Sequence, residues 1–192
     1  ELMKEIMIRD FKPVFDLESF EVDAEEKSLI LNLIESKPNA KILLYGVPGT
    51  GKTEFCRSLV KKAGMTPVLF NNDVPNTEYR PRRGKNQQLV LAASLLRPNE
   101  VLMVDEADSI LNTRMFLNSS VDKGWLNQFL DRFSGRMVFI ANSIDLCEAS
   151  TLRRFDYYLS FESFSEKQRH EMWKNQFEDS ALKSTLLNVI DF

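Results

Sequence analysis

Short hydrophobic runs alternate with amphipathic segments along most of this chain. An unbroken apolar run bounded by turn residues is typical of a strand that is covered on both faces. Five such runs occur, at Lys41–Tyr45, Pro67–Phe70, Glu100–Val104, Met137–Ala141 and Asp156–Phe161. Between them, helix-like patterns run over residues 23–36, 53–62, 86–96 and 120–133, with a short helical turn at 147–152. The alternation predicts an α/β fold with a five-stranded parallel sheet flanked by helices.

The segments before and after this pattern are expected to have separate roles. Residues 1–22 mix apolar and charged positions without clear periodicity, and we expect an extended arm that packs on the domain. Asp23 with Glu26 forms a capping box that opens the first helix of the domain. A second capping box, Ser165 with Gln168, opens a helix after the last strand. The core domain is therefore predicted to span 23–162.

Composition narrows the functional classes. The chain has 192 residues, with 25 Lys and Arg against 28 Asp and Glu, so its formal charge is −3. A mildly acidic domain is a poor general binder of nucleic-acid backbones, which need a large positive patch. No apolar run approaches the ~18 residues that span a bilayer. Two cysteines and one histidine give no disulfide framework and no zinc-type site, so we expect a reducing, cytoplasmic setting.

A glycine-rich segment, Gly46-Val47-Pro48-Gly49-Thr50-Gly51-Lys52-Thr53, links the first buried strand to the next helix. It satisfies the P-loop pattern G-x-x-x-x-G-K-[ST] in the strand–helix context that the pattern requires. Glycines let main-chain N–H groups turn toward phosphate oxygens, and the helix N-terminus adds its positive end. We expect Lys52 to reach the β- and γ-phosphates and Thr53 to hold Mg²⁺. The segment and the following Glu54 are predicted to bind the nucleotide.

Two carboxylates, Asp105 and Glu106, follow the apolar strand that ends at Val104. We expect Asp105 to support Mg²⁺, directly or through water. Glu106 is placed to polarise a water molecule for in-line attack on the γ-phosphate. The alternative is structural, because Asp105, Glu106 and Asp108 also favour a helix N-terminus.

Two further polar sites follow later strands. Asn142 comes directly after Met137–Ala141, where it can hydrogen-bond the attacking water or the γ-phosphate, or cap the next turn. Arg153 and Arg154 precede the last strand. One of them can point into a neighbouring subunit and stabilise transition-state charge as an arginine finger. The alternative is an intramolecular salt bridge, for example with Asp156.

Together these motifs resemble the AAA+ ATPases. Residues 46–53 resemble Walker A, 101–106 Walker B, Asn142 sensor 1, and Leu152-Arg153-Arg154-Phe155-Asp156 the end of the second region of homology. The segments GKTEF, KGWLN and LRRFDYYL are similar to a group of bacterial AAA-family ATPases. The resemblance implies an ATP-driven ring, usually a hexamer, that remodels a macromolecule. It assigns catalytic roles to Lys52, Glu106 and Asn142, a trans role to Arg154 or Arg153, and residues 163–192 to the start of a helical lid.

One departure from the family pattern and one basic stretch keep other functions open. Residues 76–84 replace the aromatic–hydrophobic–glycine pore loop of many protein-threading members. A nucleotide-gated assembly switch or scaffold with little hydrolysis is therefore an alternative. The basic stretch from Arg80 to Lys85 suits an acidic chain or nucleic acid, so a clamp-loader or helicase type of ATPase is another, although a solvated loop also explains it.

Overall fold

The computed structural model describes residues 6–9, 13–70, 83–112 and 119–163. Contacts divide the chain into two units, 1–161 and 162–192. Of the second unit, only Glu162 and Ser163 are described, so the lid prediction and its helix at Ser165 lie outside the described residues. Residues 71–82, which hold most of the basic stretch and the segment that replaces the pore loop, also lie outside the described residues. All elements below belong to the first unit.

A six-stranded sheet forms the centre of the first unit. Its strands are β1 Met7–Ile8, β2 Lys41–Gly46, β3 Thr66–Phe70, β4 Glu100–Val104, β5 Arg136–Ala141 and β6 Tyr157–Phe161. Their spatial order is β1-β3-β4-β5-β2-β6. The five predicted strands are parallel to one another, which confirms the α/β prediction. The sheet also has a sixth strand that the sequence did not predict, because Met7–Ile8 pairs antiparallel with β3 at the edge.

Within the described ranges, six α-helices connect or cover the strands, and a 3-10 helix lies at Leu17–Ser19. The α-helices are α1 Ala24–Ser36, α2 Lys52–Lys62, α3 Arg83–Ser94, α4 Asp108–Leu111, α5 Ser119–Arg132 and α6 Ala149–Leu152. Asp23 caps α1 as its capping box predicts, because its Oδ1 accepts hydrogen bonds from the N–H groups of Glu25 (2.7 Å) and Glu26 (3.4 Å). The helix expected from residue 86 begins three residues earlier, at Arg83. No helix among the described residues is both long and apolar enough to cross a membrane.

Both faces of the sheet are buried, which explains why the strands are continuous apolar runs. On one face, Leu43, Leu102 and Phe139 pack with residues of α3 and α5. On the other face, alternate positions such as Ile42 and Met103 pack with residues of α1 and α2. Because neither face of this parallel sheet is exposed to solvent, its strands need apolar residues at both odd and even positions.

The N-terminal arm packs on α2, as expected from its apolar positions. The main-chain N–H of Val14 donates to the Glu54 carboxylate, and the Ser58 hydroxyl donates to the Phe15 carbonyl at 2.7 Å. Phe20 then packs edge-on against Phe55, with ring centroids 5.5 Å apart. The helix that follows the P-loop therefore holds the arm by both polar and aromatic contacts.

Gly46 allows β2 and β6 to approach closely at the end of the sheet where the P-loop begins. Its φ is 132°, and a Cβ there would lie 2.0 Å from the carbonyl oxygen of Phe161, its partner on β6. Gly64, at the end of α2, also has a positive φ, 68°, but a Cβ there would meet no atom within 4 Å. Substitution of Gly64 thus tests backbone strain alone, whereas substitution of Gly46 adds a steric clash.

We expect Gly46→Ala to destabilise the domain more than Gly64→Ala. Alanine at Gly64 has only the left-handed backbone to overcome, about 1–2 kcal/mol. Alanine at Gly46 must also separate main-chain atoms of two strands, which adds about 1–3 kcal/mol, the usual cost of overpacking. Urea unfolding of both variants measures the difference, and equal losses would contradict the close approach of β2 to β6.

Candidate nucleotide-binding site

The loop between β2 and α2 has the backbone that the P-loop pattern predicts. Gly49 and Gly51 lie in the left-handed region, with φ of 80° and 81°. Thr50 is buried, and its hydroxyl donates to the carbonyl of Val47 at 2.8 Å. The loop therefore closes over its own threonine. Because Gly51 is also the N-cap of α2, the first N–H groups of that helix lie beside the loop.

Lys52 is the first residue of α2 and is only 6% exposed. Its ammonium group donates to the carbonyls of Gly46 (2.7 Å) and Val47 (2.8 Å). Burial lowers the pKa of Lys52, and the negative charges of Asp105 and Asp108 raise it by less, so it lies below its ordinary value. Two carbonyl oxygens accept from this cation, but no described carboxylate forms a salt bridge with it, which favours an anionic ligand beside it.

Thr53 and Asp105 meet although β5 lies between the strands that carry their elements. The Thr53 hydroxyl donates to Oδ2 of Asp105 at 2.8 Å. Mg²⁺ is commonly bound by one or two protein oxygens together with substrate phosphates and water. This hydroxyl–carboxylate pair fits such an ion, whereas no cluster of three or more His, Cys, Asp or Glu side chains occurs among the described residues.

Glu106 has a strained backbone. Its φ is 50°, which makes it the only described residue other than glycine with a positive φ. Its N–H donates to Oδ1 of Asp105 at 2.9 Å, while its own side chain is exposed at the cleft. A left-handed glutamate costs about 1–2 kcal/mol, and such strain gathers at functional sites.

Asn142 directly follows β5, as predicted, and its side chain is exposed at the same edge of the sheet. The carboxylate of Asp108 accepts hydrogen bonds from the N–H groups of Asn142 and Ser143. From the sequence, Asp108 was interpreted only as a residue that favours a helix N-terminus. Its spacing of three residues from Asp105 was the available signal, but nothing in the sequence pairs it with residue 142.

One cleft of about 490 Å³ brings most of the predicted site together. Gly46, Val47 and Thr50 shape the loop instead of lining this cleft. Arg57 also lines it and pairs with Glu54 at 3.1 Å, a contact that the P-loop pattern does not indicate. The other lining residues are Pro48, Gly49, Gly51, Lys52, Thr53, Glu54, Asp105, Glu106, Ile140, Ala141 and Asn142.

Arg153 and Arg154 lie just after α6 and are not among the residues that line the cleft. Arg154 makes a two-pronged salt bridge to Asp131 of α5, at 2.9 and 3.0 Å, and also donates to the carbonyl of Ser150. The Arg153 side chain is exposed and makes no hydrogen bond or ion pair with the described part of the chain. Asp156, the suggested salt-bridge partner, instead pairs with Lys37 at 2.5 Å.

A larger cleft, of about 700 Å³, lies at the end of the sheet where the parallel strands begin. It is lined by Glu100 and Arg136, which start β4 and β5, and by the rings of Trp125, Phe129 and Phe133. It contains neither the P-loop nor the paired carboxylates. The chemistry of the lining, and not the volume, therefore identifies the candidate nucleotide site.

Comparison with curated proteins finds AAA domain-containing ATPases and a transmembrane helix translocase among the relatives of this chain. Bovine ATPase family AAA domain-containing protein 3 is 29% identical over 148 residues, which are 74% of this chain and 25% of that protein. The human outer mitochondrial transmembrane helix translocase is 31% identical over 115 residues, 58% of this chain and 31% of that protein. The chain thus spans about a quarter to a third of the length of these relatives.

Comparison with solved structures shows the same fold. The E. coli MS115-1 HORMA:CdnC:Trip13 complex contains a chain that superimposes with a TM-score of 0.65 at 18% identity, covering 95% of this chain and 78% of that one. The FIGL-1 AAA domain in complex with ADP gives a TM-score of 0.61 at 18% identity, covering 92% and 64%.

The model of the AAA family, described as the ATPase family associated with various cellular activities, matches residues 42–163. That match covers more than half of the chain and includes the P-loop, both carboxylates, Asn142 and the arginine pair. The chain belongs to the AAA family of ATPases.

Proposed function

We propose that this domain binds Mg–ATP in the cleft beside the P-loop and hydrolyses it to drive remodelling of a macromolecular partner. One observation carries the proposal. The Thr53 hydroxyl lies 2.8 Å from the Asp105 carboxylate, in the cleft that Lys52 and Glu106 also line. A phosphate-binding cation, a magnesium-binding pair and a free carboxylate thus share one cavity.

Each group has a separate part in binding. The N–H groups of the loop and of the start of α2 hold phosphate oxygens, and Lys52 exchanges its carbonyl partners for the β- and γ-phosphates. Thr53 and Asp105 would hold Mg²⁺, and the bound ion would supply positive charge to the phosphates. The ADP complex of a neighbour with the same fold supports a nucleotide in this place.

Glu106 acts on the water. Its carboxylate accepts a proton as the water oxygen bonds to the γ-phosphorus and the bond to the β–γ bridging oxygen breaks. ADP and phosphate are the products. Asn142 orients the water or the γ-phosphate from the neighbouring strand end.

The arginine pair completes the site from a second copy of the chain. In this proposal the copies assemble into a ring, for which the family resemblance implies a hexamer, and an arginine of one copy reaches the γ-phosphate of the next. The motif position favours Arg154. The pairing in this structure favours Arg153 as the trans residue, because Arg154 is already engaged by Asp131, whereas Arg153 is exposed.

The remodelling part of the proposal is supported by the names of similar proteins. One relative is called a transmembrane helix translocase, and one structural neighbour is solved in a complex with a HORMA protein. Both descriptions involve a protein partner. We therefore propose a protein, in preference to a nucleic acid, as the partner of this acidic chain.

Glu106→Gln is expected to keep nucleotide binding and to lower ATP turnover about 100-fold or more, because only the proton acceptor is removed. Steady-state phosphate release and nucleotide titration measure the two effects. Glu35→Gln is the matched control, since Glu35 is an exposed glutamate at the end of α1, away from the cleft. Parental turnover in Glu106→Gln would contradict the assigned role.

Mixing two inactive variants tests the arginine in trans. Lys52→Ala and Arg153→Ala are each expected to be inactive, and their mixture is expected to regain ATPase activity at boundaries that pair an intact P-loop with an intact arginine. Arg154→Ala should mainly lower the free energy of unfolding, by about 0.2–1 kcal/mol, as Asp131→Asn should. The opposite result would assign the trans role to Arg154: Arg153→Ala would be active by itself, and Arg154→Ala would be inactive until it is mixed with Lys52→Ala.

The ATP-bound state is expected to hold the partner. Glu106→Gln with Mg–ATP should retain a specific protein that Lys52→Ala, which lacks the phosphate-binding cation, does not retain. Quantitative mass spectrometry of the two samples measures the enrichment. Equal recovery of all proteins on both variants would contradict a nucleotide-controlled partner.

A further inference from the structure

Helix α4 holds the main chain directly after β5. The carboxylate of Asp108 accepts three hydrogen bonds from two successive peptide groups of this segment. Its Oδ1 accepts from the N–H of Asn142 and from the N–H of Ser143, both at 2.9 Å, and its Oδ2 accepts from the N–H of Asn142 at 3.1 Å. Hydrogen bonds to a carboxylate are stronger than those between neutral groups.

Asn112 also binds the segment that follows β5. Asn112, which follows α4, is 6% exposed, and its Nδ2 donates to the carbonyl of Ser143 at 3.0 Å. The N–H of Ala107 donates to the carbonyl of Ile140 at 2.8 Å. The peptide groups on both sides of Asn142 are therefore hydrogen-bonded to residues 107–112, which follow β4.

The Asn142 side chain itself has no such support. It is exposed and makes no hydrogen bond with the described residues. Its position at the cleft is consequently set by its main chain, and the main chain is set mainly by Asp108. Asp145 offers a contrast in the same loop, because within the described part of the chain its carboxylate accepts only from the Ser143 hydroxyl, at 2.9 Å.

We propose that Asp108 is a positioning residue that holds Asn142 at the γ-phosphate end of the cleft and so ties the carboxylate strand β4 to the sensor loop after β5. The inference rests on the proposed function, because it assigns Asn142 a part in hydrolysis. Asp108 holds this segment through main-chain N–H groups and touches no reacting atom.

Hydrogen exchange tests the grip without any need for catalysis. In Asp108→Ala, the peptide spanning 141–146 should exchange about tenfold faster or more, the change expected on losing charge-assisted hydrogen bonds. Asp108→Asn should be intermediate, because one oxygen still accepts two bonds while the amide nitrogen accepts none. Asp145→Ala is the matched control, because it also removes one carboxylate from this region. The N–H of Asn142 should exchange at the parental rate in this variant.

A double-mutant cycle tests whether the grip acts through Asn142. Asp108→Ala and Asn142→Ala should each lower kcat about tenfold or more while the nucleotide Kd stays unchanged. The double variant should be no slower than Asn142→Ala alone, since residues that act as a unit are not additive. Losses that multiply, or parental turnover in Asn142→Ala, would overturn the inference.

The two measurements separate this inference from the proposed function. Unchanged exchange in Asp108→Ala would overturn the positioning role even if the chain hydrolyses ATP. A parent chain that binds Mg–ATP without turnover would overturn the proposed function, and the exchange measurement would still decide whether Asp108 holds the loop. Asp108→Asn keeps the test decisive if Asp108→Ala fails to fold.

Discussion

The parallel register of β2, β5 and β4 is the constraint on which the candidate site depends. Tyr45 lies opposite Ala141, and Val104 lies opposite Phe139, so the three strands end together at one edge of the sheet. Because β5 separates the other two strands, Thr53 and Asp105 have to meet across two strand spacings, about 10 Å. The P-loop spans that distance by carrying the start of α2 over the end of β5.

The apolar packing on both faces makes this edge rigid enough to hold strain. Val104 is fully buried, so the chain that leaves β4 has little freedom in direction. Glu106 accordingly adopts a backbone conformation that costs about 1–2 kcal/mol. The hydrogen bond from its N–H to the Asp105 carboxylate holds this conformation. A relaxed turn would free that energy and lose the fixed relation between the two carboxylates.

Much of this architecture could be predicted from the sequence, because burial leaves a strong pattern. The central strands needed only apolar runs and turn residues to be located, and the P-loop needed only its spacing. The edge strand Met7–Ile8 was missed because two residues carry no periodicity, and its pairing with β3 depends on the tertiary fold. The early start of α3 at Arg83 was missed for a related reason, since polar residues there give no apolar face.

The sequence predicts several residues that the structure brings to one cleft, but it predicts fewer of the contacts that they make. Motif spacing located Lys52, Thr53, Asp105, Glu106 and Asn142, since each follows a strand that the pattern reveals. It could not assign Asp131 to Arg154 or Asp108 to the peptide groups after β5, because these partners are 23 and 34 positions apart along the chain. Such pairs are decided by how helices lie on the sheet.

These long-range contacts also connect the two functional ends of one segment. Asn142 begins the stretch that reaches Arg153, and Asp108 holds its first peptide groups. At the other end, the Thr151 hydroxyl donates to the side chain of Asn127 on α5 at 2.9 Å. In the proposed function, the residue that contacts the γ-phosphate and the arginine at the subunit boundary are therefore joined by a short piece of chain fixed at both ends.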